Sequence, residues 1–352
     1  MGVCGRQHLI LQHMEEEKRY PFNKVIGTGG IGAGILFQLD SNEPLKRNES
    51  RPAVLSDTQD YCKQHIILHY IAKSLYPHTD VYAIGKVGCD ADGRRLLEEM
   101  EAAHIHTDTV EMDAALPTMF STCIQYADKA VCNVTSSNSA STLVTPEYIR
   151  KSLAHIPAID AATIIMAAPE VSVNARIALL SAGRKGGAYC VASFTSEEAD
   201  EFVSQGGAAL VDLLSLNEDE ARALVQTDAN LAKEIIEETD GLIPACVRKL
   251  KLVGSNASLI VTLGSRGSVC HHRGHTVYLP APPVKVVATG GAGDAYISGV
   301  ICGLYTGLPL LASSGEGPSA MRLGALFAKK SVEHKDTIAP TIGPGDITGI
   351  AR

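Results

Sequence analysis

The chain has 352 residues, 45% hydrophobic and 20% charged, which excludes a disordered tail protein and a disulfide-held miniprotein. At about 150 residues per domain the length corresponds to roughly two domains or one large α/β domain. Lysine plus arginine number 31 against 39 acids, a formal net charge of -8, which disfavours non-specific binding to nucleic acid or to an anionic membrane.

The first segment, residues 1–23, lacks the charged, apolar and small-residue order of a signal peptide and reads as an extension before the first strand. The nine cysteines show no C-x-x-C pair and no zinc spacing, so reduced thiols and a cytoplasmic protein are expected, with Cys4 and Cys89 unexceptional. No apolar run approaches the roughly 18 residues of a membrane span.

Short apolar runs predict strands at Lys24–Thr28, Asp80–Lys86, Ala162–Ala167, Ala188–Ala192, Leu210–Leu214 and Ser258–Thr262. They are continuous rather than alternating, as burial on both faces requires. Amphipathic stretches predict helices at Gln59–Leu75, Ala91–Ala103, Pro146–His155, Asn174–Ala182, Glu218–Gln226 and Leu231–Glu238. This alternation predicts a mostly parallel sheet with helices on both faces. Two segments break it. Gln38–Ser56 is polar with two prolines, and Thr107–Val134 alternates through Phe120, Thr122, Ile124 and Tyr126, the pattern of strands with one face exposed. They predict a small β lid, from about 35–56 and 107–134, inserted in one domain over 24–352.

The strongest signal is VVATGGAGDAYIS, Val286–Ser298. A strand is expected to end in Ala288-Thr289-Gly290-Gly291-Ala292-Gly293-Asp294, with an apolar helix running on to Leu304. Bare amides of that first turn, with the helix dipole, form a cradle for phosphate. Asp294 beside such an anion is placed to take the proton of an attacking hydroxyl. The alternative is a plain strand–helix turn, with Asp294 serving the helix N-terminus.

ATGGAGD followed by AYISGVICGL resembles the C-terminal signature of the ribokinase (PfkB-type) carbohydrate kinase family, D-T-x-G-A-G-D before a small-residue helix. Ser215–Glu220 resembles that family's N-x-x-E motif, Val261–Ser268 its T-L-G-x-x-G-S nucleotide turn, and Val87–Gly93 its V-G-x-D-x-x-G segment. Pro117-Thr118 resembles a lid-strand position. The resemblance covers roughly residues 24–340 and is best from Leu210 onward.

It implies an α/β, ribokinase-like three-layer sandwich and an ATP-dependent kinase acting on a small-molecule hydroxyl. A sugar or sugar-like polyol is the default acceptor, with a nucleoside or vitamin alcohol as alternatives. Asp294 would be the base, and Gly291, Ala292 and Gly293 the anion hole. Thr262, Gly264, Ser265 and Gly267 would line the nucleotide, with Thr289 and Gly290 beside its phosphates. Asn217 and Glu220 would hold Mg²⁺ through water. Their own alternative is an N-cap and its capping-box partner. Arg266 either touches phosphate or is a solvated turn residue, and Gly324–Lys335 resembles the helix flanking the adenine. Lid-mediated dimers are frequent in the family, so a homodimer is an open expectation.

The chain departs from the family in three places. Ala288 replaces the opening Asp, so a monovalent-cation dependence does not carry over. No Asp lies near Gly32 in the Gly29-Gly30 loop that should meet the sugar. The G-G-x-x-x-N motif is replaced by Ser56–Tyr61, where Asp57 and Asp60 either supply the hydroxyl acceptors, with Thr118, or serve a helix start. Two rival functions follow. Gly27-x-Gly29-x-x-Gly32 also fits a dinucleotide fingerprint, hence an NAD(P)-dependent oxidoreductase. The lost acceptor residues also suit a catalytically silent, kinase-like ligand sensor.

Overall fold

The computed structural model describes residues 20–228, 231, 239–312 and 317–350. Most of the predicted extension, Cys4 included, and all but Leu231 of the helix predicted at Leu231–Glu238 lie outside them.

The strands are β1 (Lys24–Thr28), β2 (Gly32–Gln38), β3 (Val54–Tyr61), β4 (Asp80–Gly88), β5 (Ile105–His106), β6 (Val110–Asp113), β7 (Met119–Gln125), β8 (Val131–Thr135), β9 (Thr163–Ala167), β10 (Tyr189–Ala192), β11 (Leu213–Asn217), β12 (Ser258–Thr262), β13 (Ser268–His272) and β14 (His275–Leu279). The main sheet runs β14-β13-β12-β11-β10-β9-β1-β4, with β5 and β6 both on β4. It is parallel from β12 to β4 and antiparallel through β13 and β14.

Successive side chains of each strand feed opposite cores. Ile164 and Met166 pack with α1 (Lys63–Leu75), α2 (Ala91–Ala102), α8 (Ala292–Tyr305) and α9 (Ala320–Val332). Ile165 and Ala167 pack with α3 (Pro146–Leu153), α4 (Val173–Gly186), α6 (Glu218–Gln226) and α7 (Thr239–Leu252). The result is a three-layer sandwich. The short α5 (Ala199–Ser204) and α10 (Pro344–Ile350) complete the chain.

The small residues of α8 have a packing role. A Cβ at Gly299 would lie 2.7 Å from the Leu323 carbonyl oxygen, and one at Gly303 would lie 2.6 Å from the Ala320 Cα. Glycine there lets α8 meet α9 backbone to backbone, which fixes where the N-terminal end of α8 points.

A second sheet, β3-β2-β7-β8, stands apart from the first. The expected lid segment 107–134 is divided: β6 joins the main sheet through β4, and only β7 and β8 join the small one. Other expectations change too. The helix predicted from Gln59 begins at Lys63, because Val54–Tyr61 is a strand laddered to β2. The predicted Leu210–Leu214 strand lies at Leu213–Asn217, and the helix α7 was not anticipated. No strand precedes the glycine-rich turn. Pro280, Pro282 and Pro283 remove backbone donors there, and the Val287 and Ala288 amides donate to the Val332 carbonyl instead. No helix among the described residues is long and apolar enough to cross a membrane.

Candidate active site at the carboxyl edge of the sheet

The carboxyl ends of β1, β9, β11 and β12 gather the candidate residues, where ligands of open α/β sheets bind. The turn into α8 is the centre. Gly291 is its N-cap with φ 74°, and no side chain caps the helix. A Cβ on Gly291 would lie 2.9 Å from Thr337 Cγ2 and 3.1 Å from the Thr337 carbonyl oxygen, so both conformation and space require glycine. A Cβ on Gly290 or Gly293 would meet open space, so the turn faces a cleft. Thr289 accepts from Gln125 Nε2 at 3.5 Å and donates to the Lys129 carbonyl at 3.3 Å, which ties the turn to the β7–β8 hairpin.

Asp294 is half-buried in the first turn of α8. Burial lifts its carboxyl to about 7; Lys63 opposes the rise, and Glu170, Glu220 and Asp60 add to it. A carboxylate poised near neutrality suits a general base.

Lys63 and Glu170 were not found in the sequence. Lys63 starts α1, and its Nζ lies 3.3 Å from Glu220 Oε1. Burial pulls its ammonium down, but the Glu220, Asp294 and Glu170 carboxylates outweigh burial and hold it above the ordinary lysine range. Glu170 follows β9 with φ 75°, a conformation that non-glycine residues adopt at a cost, often at functional sites. Its Oε2 accepts from the Lys63 amide at 3.2 Å, and burial raises its carboxyl against the pull of Lys63. A charged residue three positions beyond the end of a buried apolar strand was the one signal available for Glu170. For Lys63 there was none, because its partners are 107 and 157 residues away.

Asn217 and Glu220 form a complete capping box: each backbone amide donates to the other's side chain at 2.8 Å. Glu220 Oε1 remains turned to Lys63. Thr262 sits beside Asn217 in the β11–β12 register, and Gly264, Ser265 and Gly267 form the turn that follows. Gly267 has φ 105°, and a Cβ there would lie 2.2 Å from the Leu279 carbonyl oxygen. Arg266 pairs with Glu218.

The acceptor-side candidates divide. Asp60 lies in β3, not at a helix start, and is buried beside Gly34. It accepts from Thr337 Oγ1 at 2.9 Å, Cys123 Sγ at 3.0 Å and Ser121 Oγ at 3.5 Å. It therefore links the small sheet to the residue packed on Gly291. Asp57 lies opposite Leu36 in the same ladder. Thr118 is committed to structure: its hydroxyl donates to Asp90 at 2.6 Å and accepts from the Gly88 amide at 2.9 Å. A Cβ at Gly29 would lie 2.7 Å from Ala168 Cβ and one at Gly30 2.5 Å from Glu170, so both glycines floor the cleft under Glu170.

The dinucleotide reading fails here. Gly32 opens β2 of the small sheet rather than the crossover helix whose N-terminus would hold a pyrophosphate.

No group of three or more metal-ligating side chains occurs among the described residues. Asn217 and Glu220 still fit Mg²⁺, which is typically held by one or two carboxylates with water and substrate phosphates rather than by an all-protein cage.

This architecture is a three-layer α/β sandwich with an uncapped helix turn beside an acid lifted to about 7. It superposes on ribokinase from Cryptococcus neoformans var. grubii serotype A in complex with ADP, with TM-score 0.72 and 20% identity, covering 93% of this chain and 99% of that one. Arabidopsis thaliana ribokinase complexed with ribose and ATP gives 0.70 and 20%, covering 94% and 99%. In sequence, deoxyribokinase of Salmonella typhi is 35% identical over 112 residues, 32% of this chain and 34% of that protein. The chain thus aligns with about a third of that relative's length. The family model of the pfkB family carbohydrate kinases matches residues 67–342, and the chain belongs to that family.

Proposed function

We propose that the protein transfers the γ-phosphoryl group of ATP to a hydroxyl of a small molecule, a sugar or sugar-like polyol. The observation that carries this reading is the α8 turn: a helix start with no side-chain cap and an open cleft beside an acid lifted to about 7.

The nucleotide lies along Thr262, Gly264, Ser265 and Gly267, with its terminal phosphate toward Thr289, Gly290 and the amides of Gly291, Ala292 and Gly293. Asp294 accepts the proton as the acceptor oxygen bonds to phosphorus. The bond from that phosphorus to the β-phosphate bridging oxygen breaks, and ADP leaves. Asn217 and Glu220 would hold Mg²⁺, which would neutralise phosphate charge. Lys63 holds positive charge between Glu220 and Asp294. Glu170 and the Gly29-Gly30 floor face the acceptor, and Asp60 braces the small sheet behind them. The small sheet closes over it and excludes competing water.

The exposed apolar residues Leu55, Phe120 and Val134 of the small sheet fit a homodimer, testable by sedimentation. The eight cysteines among the described residues are free, which fits a cytoplasmic enzyme.

ADP release across sugars, polyols, nucleosides and pyridoxal-type alcohols tests the activity. One or more saturable acceptors are expected. ATP binding with no transfer to any of them would replace the reading with a ligand sensor.

A further inference from the structure

The β7–β8 hairpin brings a cation to the α8 turn, and its tip is pinned from both sides. The Asp128 amide donates to Asn42 Oδ1 at 2.8 Å and the Ala127 amide to the Ser41 carbonyl at 3.4 Å. Across the tip, Thr289 Oγ1 donates to the Lys129 carbonyl at 3.3 Å. The Lys129 amide donates to the Tyr126 carbonyl at 3.0 Å, and the Ala130 amide to Asp128 Oδ1 at 3.0 Å. The Lys129 backbone is therefore fixed beside the residue that precedes Gly290 and Gly291. Those glycines lie at most about 7 Å of chain beyond Thr289, and a lysine stem of four carbons carries its ammonium about 6 Å from the Cα.

Lys129 is exposed and makes no ion pair among the described residues. Lys63 differs: Glu220, Asp294 and Glu170 all act on its one ammonium. A transferring phosphate adds negative charge where three carboxylates already share that cation. Backbone conformation argues in the same direction. Lys129 has φ 73°, a left-handed position that favours glycine or asparagine, so the turn by itself does not select a lysine. The space within reach of its ammonium is open, because a Cβ on Gly290 or Gly293 would meet nothing within 4 Å.

We propose that Lys129 binds the terminal phosphate of ATP and stabilises the charge that spreads over the phosphoryl oxygens during transfer. Its ammonium meets the phosphate from the hairpin, while the start of α8 holds it from the helix side. This inference rests on the phosphoryl-transfer reading and adds to it a charged residue delivered by the small sheet.

Titration of the full-length protein with ATP and with AMP, both with Mg²⁺, tests this. Lys129→Gly removes the ammonium and suits the left-handed φ, so a loss of binding reports the charge rather than the turn. ATP affinity should fall about tenfold or more, the usual worth of a charge-assisted contact, while AMP affinity stays within about twofold of wild type. Lys129→Arg should keep ATP affinity within about threefold. With an acceptor from the ADP-release panel, Lys129→Gly should lower kcat about tenfold or more and leave the acceptor KM nearly unchanged. ATP affinity or kcat indifferent to Lys129→Gly, an equal loss for AMP, or an equal loss in Lys129→Arg would each overturn the proposal and leave phosphoryl transfer standing. A wild type that binds no ATP would overturn both.

Discussion

Two helix N-termini face one cleft and are built in opposite ways. At α6, Asn217 and Glu220 satisfy each other's amides. At α8, Gly291 turns the chain at φ 74° and no side chain reaches the amides. A side-chain cap is worth about 1 kcal/mol. The α8 start forgoes that side-chain stabilisation, and in the proposed reading its dipole and the Gly291 and Gly293 amides serve an anion. The same orphan groups thus serve stability at one terminus and ligand binding at the other. Lys63 stands between the two, in contact with Glu220 and lowering the carboxyl of Asp294.

The comparison can be broken most easily at Asp294. Asp294→Asn should cut turnover by about 10² or more, the usual worth of a general base, while ATP affinity by titration stays near wild type. Near-normal turnover would remove the residue from the chemistry. Gly291→Ala is next. A left-handed alanine costs about 1–2 kcal/mol, and its methyl would press on Thr337, so turnover should fall about tenfold or more with a lower melting temperature.

Lys63→Met sharpens the link between the termini. Asp294 must be deprotonated to act, so kcat/KM of the wild type should climb as pH rises through about 7. Lys63 favours the charged carboxylate, so removing it should move that limb upward by about one pH unit or more. A pH–rate profile measures this, and an unmoved limb would deny the coupling. The smallest effect belongs to Asn217→Ala. Loss of the cap should lower stability by about 1 kcal/mol in denaturant melts, with turnover changed only a few-fold. A loss rivalling Asp294→Asn would mean that α6 is as much a ligand site as α8.

Much of the frame was legible. Lys24–Thr28 and Ser258–Thr262 match their predicted strands residue for residue, because strands buried on both faces carry continuous apolar runs. The α8 turn was legible because its glycines and acid are neighbours in the chain. Asp60 was misplaced because Gln59–Lys63 is polar enough for a helix start, and only pairing with β2 makes it strand. The segment before Ala288 has a strand's composition, yet its amides meet Val332 rather than a ladder.

The sequence by itself determined what local order can encode: the alternation of buried strands and helices, the glycine-rich turn and the acid one residue beyond Gly293. Tertiary structure alone decided which charges surround that acid. Lys63, Glu170 and Glu220 lie on separate elements and meet only when the sheet aligns the ends of their strands. Electrostatic interaction depends on distance in space and on burial, and neither is written in the spacing of residues along the chain.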